Sequence, residues 1–289
     1  MSLFARLYAG LNLLLLVLFA AQAAKAADHR RIVSIGGSIT EIVYALGQEN
    51  RLAARDTTSS FPSAAEKLPN VGYARALSPE GVLSVDPDLI LATQGSGPPE
   101  TIEVLKAADV TYVEVPEIYS AEGVALKIAT IGKALGEEAA AEDLIVQVSA
   151  DLAAAQARAQ TAADDTPKRV LFVLSTQGGR IMAAGKDTAA EGIIHMAGGI
   201  NAVQEFSGYK QMTDEAVAAT APDVILAMDR GGDHGISQEA MLSLPALIPT
   251  PAAQNGALIR MNGLHLLGFG PRTASAVSAL SDALYGDRP

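Results

Sequence analysis

The sequence predicts an α/β protein of two lobes, each built on a parallel sheet, joined by a single long α-helix. Three observations carry that expectation. Residues 31–35 (RIVSI) and 169–174 (RVLFVL) both read as buried strands that run into a glycine-rich loop, Gly36-Gly37 or Gly178-Gly179, with a helix-spaced stretch beyond. Residues 77–92 (LSPEGVLSVDPDLILA) and 212–227 (MTDEAVAATAPDVILA) align without a gap, an internal repeat of a helix-then-strand unit. Between the copies lies a proline-free stretch rich in Ala, Glu, Lys, Leu and Gln. Each half thus has the strand-helix alternation of a Rossmann-like lobe with a parallel sheet.

The chain begins with Arg6 followed by an apolar run over 7–21, after which small residues fall as Ala21-Gln22-Ala23 and Ala24-Lys25-Ala26. This is the pattern of a secretory signal peptide, 1–26, cleaved after Ala26 or Ala23. The run is shorter than the roughly 20 apolar residues of a spanning helix. Cleavage after Ala26 leaves 263 residues and removes Arg6 and Lys25 with no acid, moving the formal charge from −11 to −13. That balance argues against nucleic-acid binding. With no cysteine in the chain, no disulfide framework, thiolate metal site or lipid-bearing cysteine is expected, and the mature protein should diffuse freely in the periplasm.

The N-terminal lobe, 27–119, opens with strand 31–35, the Gly36-Gly37-Ser38 loop and a helix over 40–46 that stops at Gly47. In the repeat, Ser78 and Thr213 are helix caps, an acid follows within two residues at the positive end of the helix dipole, and Pro-Asp marks the turn into strands 89–91 and 224–226. The connecting helix, 120–163, carries apolar residues at Val124, Ile128, Ile131, Leu135, Leu144, Ile145, Val148 and Leu152, and Gly136 is where it would break. The C-terminal lobe, 164–289, starts in the loop 162–167 and repeats the opening step, with a helix over 188–196 ended by Gly198-Gly199. Two lobes tied by a long helix form a clamp with little hinge freedom.

Signatures of catalysis are missing: there is no G-x-S-x-G elbow, Walker loop, GxGxxG after a strand or H-E-x-x-H, and Ser96 sits in a Gly-Ser-Gly-Pro loop. An enzyme is not expected. The four histidines, His29, His195, His234 and His265, show no metal-ligand spacing, and only His234, in a glycine-rich loop, is placed to reach a ligand.

The order of signal, lobe, helix and lobe resembles the helix-linked class of periplasmic binding proteins that feed ABC importers for haem, siderophores and cobalamin. Within it, segments 70–81 (NVGYARALSPEG), 182–203 (MAAGKDTAAEGIIHMAGGINAV) and 266–273 (LLGFGPRT) are most similar to periplasmic haem-binding proteins. The resemblance implies a receptor that grips ferric haem b in a cleft between the lobes, with a ferric siderophore or cobalamin as the alternative cargo. It implies an inner-membrane permease as partner, an outer-membrane haem receptor as a source of cargo, and a monomer.

By the same resemblance Tyr73 is the iron ligand. A phenolate is a hard anion that favours ferric iron, and Arg75, two residues on, would favour the ionised phenol. From the second lobe, Tyr209 and Lys210 in the 207–210 turn would meet the porphyrin and a propionate. Arg230, in the loop 229–234, matches an arginine that relatives place near the ligand. Some relatives offer a histidine from the loop after the first strand of this lobe; here that loop is Ser175-Thr-Gln-Gly-Gly179, which leaves Gln177 as a hydrogen-bonding group. Glu80 and Glu215 occupy the same register of the repeat and match the surface glutamate that each lobe of such receptors offers to permease arginines.

Overall fold

The computed structural model describes residues 29–229 and 236–286; the expected signal peptide lies outside them. The N-terminal lobe runs β1 (Ile32–Ile35), α1 (Gly37–Ala45), β2 (Leu52–Arg55), β3 (Gly72–Tyr73), β4 (Ala76–Leu77), α2 (Pro79–Leu83), β5 (Leu89–Thr93), α3 (Pro99–Ala107), β6 (Thr111–Val115) and α4 (Ala121–Leu135). Helix α5 (Glu138–Ala163) crosses to the second lobe. There follow β7 (Arg169–Ser175), β8 (Ile181–Ala184), α6 (Ala189–Met196), β9 (Ile200–Asn201), β10 (Tyr209–Met212), α7 (Asp214–Ala219) and β11 (Val224–Asp229). The last elements are α8 (Gln238–Leu242), α9 (Pro251–Gln254), β12 (Leu258–Asn262), α10 (Gly263–Leu267) and α11 (Thr273–Tyr285). Among the described residues no helix is long and apolar enough to cross a membrane.

The first sheet is parallel throughout, in the order β2-β1-β5-β6. Its central strands, β1 and β5, are nearly continuous buried runs, as expected of a parallel sheet covered on both faces. The second sheet has the expected parallel centre, β7-β11-β12, with β9 also parallel to β7. One edge departs from that pattern: β8 folds back antiparallel on β7, and β10 pairs antiparallel with β8. From sequence alone β8 gives no strand signal and Tyr209 falls in a turn, because four-residue strands flanked by glycines carry little periodicity of their own.

The interlobe stretch is two helices, not one. Gly136 takes a left-handed conformation, φ 73° and ψ 27°, closing α4 through bonds from its N–H to the Gly132 and Lys133 carbonyls. Chain direction then reverses, and Gly132 lets α4 lie directly on Ala141 of α5, where a Cβ would collide. Val124, Ile128, Ile131 and Leu135 bury α4 in the first lobe's core, so the connection proper is α5. Its far half lays Ala155, Ala159 and Ala163 against the second lobe.

The repeat is structural as well as sequential. Ser78 Oγ accepts from Gly81 N at 3.0 Å, and Thr213 Oγ1 accepts from Ala216 N at 3.3 Å. Asp88 accepts the Arg31 backbone N–H (3.1 Å), and Asp223 accepts that of Arg169 (2.8 Å). Both arginine side chains then donate to carbonyls at the end of the short helix, Asp86 in one copy (2.7 Å) and Thr220 in the other (2.9 Å). The Pro-Asp pair is therefore a clamp on the first strand of each lobe, beyond the turn signal read from sequence.

Candidate functional site

Ligands of open α/β sheets sit outside the carboxyl ends of the strands, and here those ends face each other across the two lobes. The loop that follows β1 meets the one that follows β12, where Leu264 lies against Gly37, and Tyr119, after β6, lies against Gly192 of α6.

Tyr73 stands on the first lobe's side of this cleft. It closes β3 of a small hairpin, paired with Ala76 across a two-residue Ala74-Arg75 turn. Val71, Ala74 and Leu77 sink into the core, while Tyr73 stays 48 % exposed and Arg75 is exposed. Three backbone bonds moor the hairpin to the strand-end loops: Thr57 N to Gly72 O (2.8 Å), Gly97 N to Ala74 O (3.0 Å) and Leu77 N to Gly97 O (2.9 Å). Gly72 sits at φ 109°, a conformation that side chains resist, so glycine is required directly before the tyrosine. The arrangement holds a phenol rigidly by its backbone and leaves its oxygen free.

Tyr209 faces the site from the other lobe with a different commitment. Its ring packs edge-on against Phe172, centroids 6.4 Å apart, and its hydroxyl faces Thr188 and Ala190 at the start of α6. Burial, reinforced by nearby Tyr119, pushes this phenol up to about 12, against the opposing pull of Arg75. The hairpin turn is thus close enough to the second lobe for the charge of Arg75 to act on Tyr209.

Alternation along β10 turns Lys210 to the opposite face from Tyr209. Its ammonium lies 5.3 Å from the centre of the Phe206 ring. Tyr209 thus takes the Phe172 face, and Lys210 is exposed on the other. Gln177 is exposed in the short loop after β7, at the cleft end of that strand. Arg230 and His234 lie outside the described residues.

Tyr119 was not singled out from sequence. It is half-buried between β6 and α4, edge-on to Phe269 at 5.3 Å. Burial and then Glu117 raise its pKa, with Arg75 again opposing. Its only sequence signal is a tyrosine immediately ahead of the Ser120 helix cap, at a strand's carboxyl end.

Glu80 and Glu215 are exposed in the first turns of α2 and α7. The Glu215 carboxyl is held below the usual range by its own backbone N–H and by Thr213. No cluster of three or more His, Cys, Asp or Glu that could hold a metal occurs among the described residues.

Residues 32–263 match the family model described as "Periplasmic binding protein". The chain belongs to this family. Over 90 % of its length, and 81 % of the relative's, this binding protein is 30 % identical to YvrC of Bacillus subtilis, an ABC transporter substrate-binding lipoprotein. It is 26 % identical to the vitamin B12-binding protein of Vibrio vulnificus, covering 93 % of this chain and 94 % of that one. Among solved structures, the periplasmic haem-binding protein BhuT, in complex with two haems, superposes with a TM-score of 0.82 at 40 % identity, covering 88 % of this chain and 97 % of that one.

In the binding protein the two lobes also meet through a polar seam that sequence reasoning did not anticipate. Arg272, just before α11, makes a bidentate pair with Glu41 of α1, Nε–Oε2 2.9 Å and Nη2–Oε1 2.5 Å. Phe61 covers the guanidinium at 3.7 Å from its ring centre. Lys127 of α4, 0 % exposed, pairs with Glu117 at 2.5 Å and donates to Ser38 Oγ (3.1 Å) and to the Gly268 carbonyl (3.2 Å).

Proposed function

We propose that the mature protein is a periplasmic receptor that captures ferric haem b between its lobes and hands it to an inner-membrane ABC importer. The observation that carries this reading is the 40 % identity to a haem-binding protein over nearly the full length of both chains, against 26 % for the vitamin B12-binding relative. The site supports it. A porphyrin brings its own four in-plane nitrogens, so the protein need supply only an axial group, and Tyr73 offers one oxygen on a backbone fixed in place. Tyr209 from the second lobe and Tyr119 at the lobe boundary furnish aromatic wall, and Arg75 brings a positive charge close to both. Gln177 and Arg230 complete the second lobe's contribution, with Lys210 at its outer rim.

Glu80 and Glu215 dock the loaded receptor on the permease, one per lobe. A signal peptide cleaved after Ala26 or Ala23 exports the chain, which acts as a monomer and takes haem released by an outer-membrane receptor. It works by binding, without catalysis. Absorbance titration of the purified protein tests the cargo. Hemin is expected to give a saturable high-spin ferric, tyrosinate-like spectrum whose break point counts the haems, while cyanocobalamin leaves intrinsic fluorescence unchanged. Tight cyanocobalamin binding with no hemin spectrum would overturn the assignment in favour of the cobalamin reading.

A further inference from the structure

The seam between the lobes is expensive to build. Removing Lys127 and Glu41 from water carries a desolvation cost that pairing only partly offsets, and Lys127 is fully buried while the Glu41 side chain is 5 % exposed. Burial accordingly lifts the Glu41 carboxyl, against the pull of Arg272 and Lys127. Networks of this kind contribute little net stability, and their best-attested use is to fix register between packed parts. Here the parts are the two walls of the cleft. Glu41, Ser38 and Lys127 come from the first lobe, Arg272 and Gly268 from the second.

The steric contacts beside the network have no slack. A Cβ on Gly37 would collide with the Leu264 side chain and stand 2.7 Å from the Thr58 carbonyl, and one on Gly270 would stand 3.1 Å from Ser38 Cβ. Phe61, which covers Arg272, follows a loop tied down by the fully buried Asp56, whose carboxylate accepts from Gly36 N (3.1 Å) and Ser59 Oγ (2.8 Å). The seam also borders the cleft directly, because Phe269, between Gly268 and Gly270, carries the ring of Tyr119.

We propose that the Glu41–Arg272 pair, seated under Phe61 and backed by Lys127 on the Gly268 carbonyl, is a spacer that sets the width of the cleft and so selects the thickness of the cargo. Arg272 and Glu41 are positioning residues, since they act through the placement of the walls. The inference rests on the receptor reading for its cargo, but not for its geometry.

Because the chain has no cysteine, a pair introduced at exposed positions, Glu103→Cys on α3 and Glu239→Cys on α8, reports the lobe separation by spin-label distance measurement. The parent is expected to give one narrow distribution. Arg272→Met should broaden it or add a second population and weaken hemin binding about tenfold through faster dissociation. The ligand-field spectrum should stay the same, since Tyr73 is moored elsewhere. The apolar double variant Glu41→Leu with Arg272→Met separates spacing from stability: it should unfold at the same or higher urea concentration, yet lose the narrow distribution. If Arg272→Met fails to fold, Glu41→Gln is expected to show the same broadening. An unbroadened distribution in any of these folded variants would overturn the spacer. A parent that binds no hemin but shows the seam-dependent broadening would sink the cargo assignment and leave the spacer standing.

Discussion

The two copies of the repeat place a tyrosine at nearly the same point, just ahead of the capped helix, and use it in opposite ways. In the first lobe the preceding segment is a hairpin of two residues per strand that joins neither large sheet, which holds Tyr73 out at 48 % exposure. In the second lobe it is β10, stitched to β8 by four paired residues, which folds Tyr209 onto Phe172 and the start of α6. The difference lies in the partner strand. An antiparallel edge absorbs the second tyrosine into the sheet, whereas the first lobe has no such edge and leaves its phenol available. On the proposed haem reading one copy supplies a ligand and the other a wall, while the glutamates two residues into the helices remain matched.

The largest effect is expected where the copies agree. Glu80→Arg combined with Glu215→Arg should abolish stimulation of the cognate transporter's ATPase while leaving the hemin titration unchanged, since charges at an exposed rim govern orientation and encounter. Equal stimulation by wild type and variant would remove the docking role. Where the copies differ, the tyrosines should separate. Tyr73→Phe is expected to weaken hemin binding about a hundredfold, roughly 2.7 kcal/mol, with urea unfolding changed by less than about 0.5 kcal/mol because the side chain is exposed.

Tyr209→Phe should reverse that pattern. It removes a half-buried hydroxyl that faces the start of α6, costing about 1 kcal/mol of stability, while the tyrosinate-like spectrum persists. Equal losses of hemin affinity in the two variants would erase the distinction between ligand and wall. The smallest effect is alkaline. Tyr209 and Tyr112 are both pushed up to about 12. A phenol with a raised native pKa binds its proton more tightly folded than unfolded. Its contribution to stability is thus complete below the ordinary value of 10.0 and disappears as pH climbs through about 12. Ultraviolet titration of the phenolates should show Tyr209→Phe losing one late-ionising group and no early one.

Much of the fold could be read because its signals are local. Caps at Ser78 and Thr213, the Pro-Asp turns and the two glycine-rich strand ends each declare themselves within a few residues, and the ungapped repeat exposes the two-lobed plan. The break at Gly136 was marked, but not its outcome, since whether a helix bends or folds back depends on what its apolar face meets. Residues 124–135 had a lobe to bury against. At the candidate site, Tyr73 is marked by the resemblance of residues 70–81, and its glycine, tyrosine and arginine lie together in one hairpin. Tyr119 and the seam carry no such mark: Glu41 and Arg272 are 231 residues apart, and each alone reads as an ordinary helical charge. Lys127 likewise looks like a solvated residue on an amphipathic helix until Glu117 and the Gly268 carbonyl close around it.

The Arg-Asp clamps carry a further consequence, for the order in which the chain folds. Arg31 reaches Asp88 across 57 residues and Arg169 reaches Asp223 across 54, so the two lobes close loops of almost equal entropic cost. Each completes its own central strand pairing without the other. The Glu41–Arg272 contact, about four times longer in sequence, closes the costliest loop of the three and is expected to form once both lobes are made.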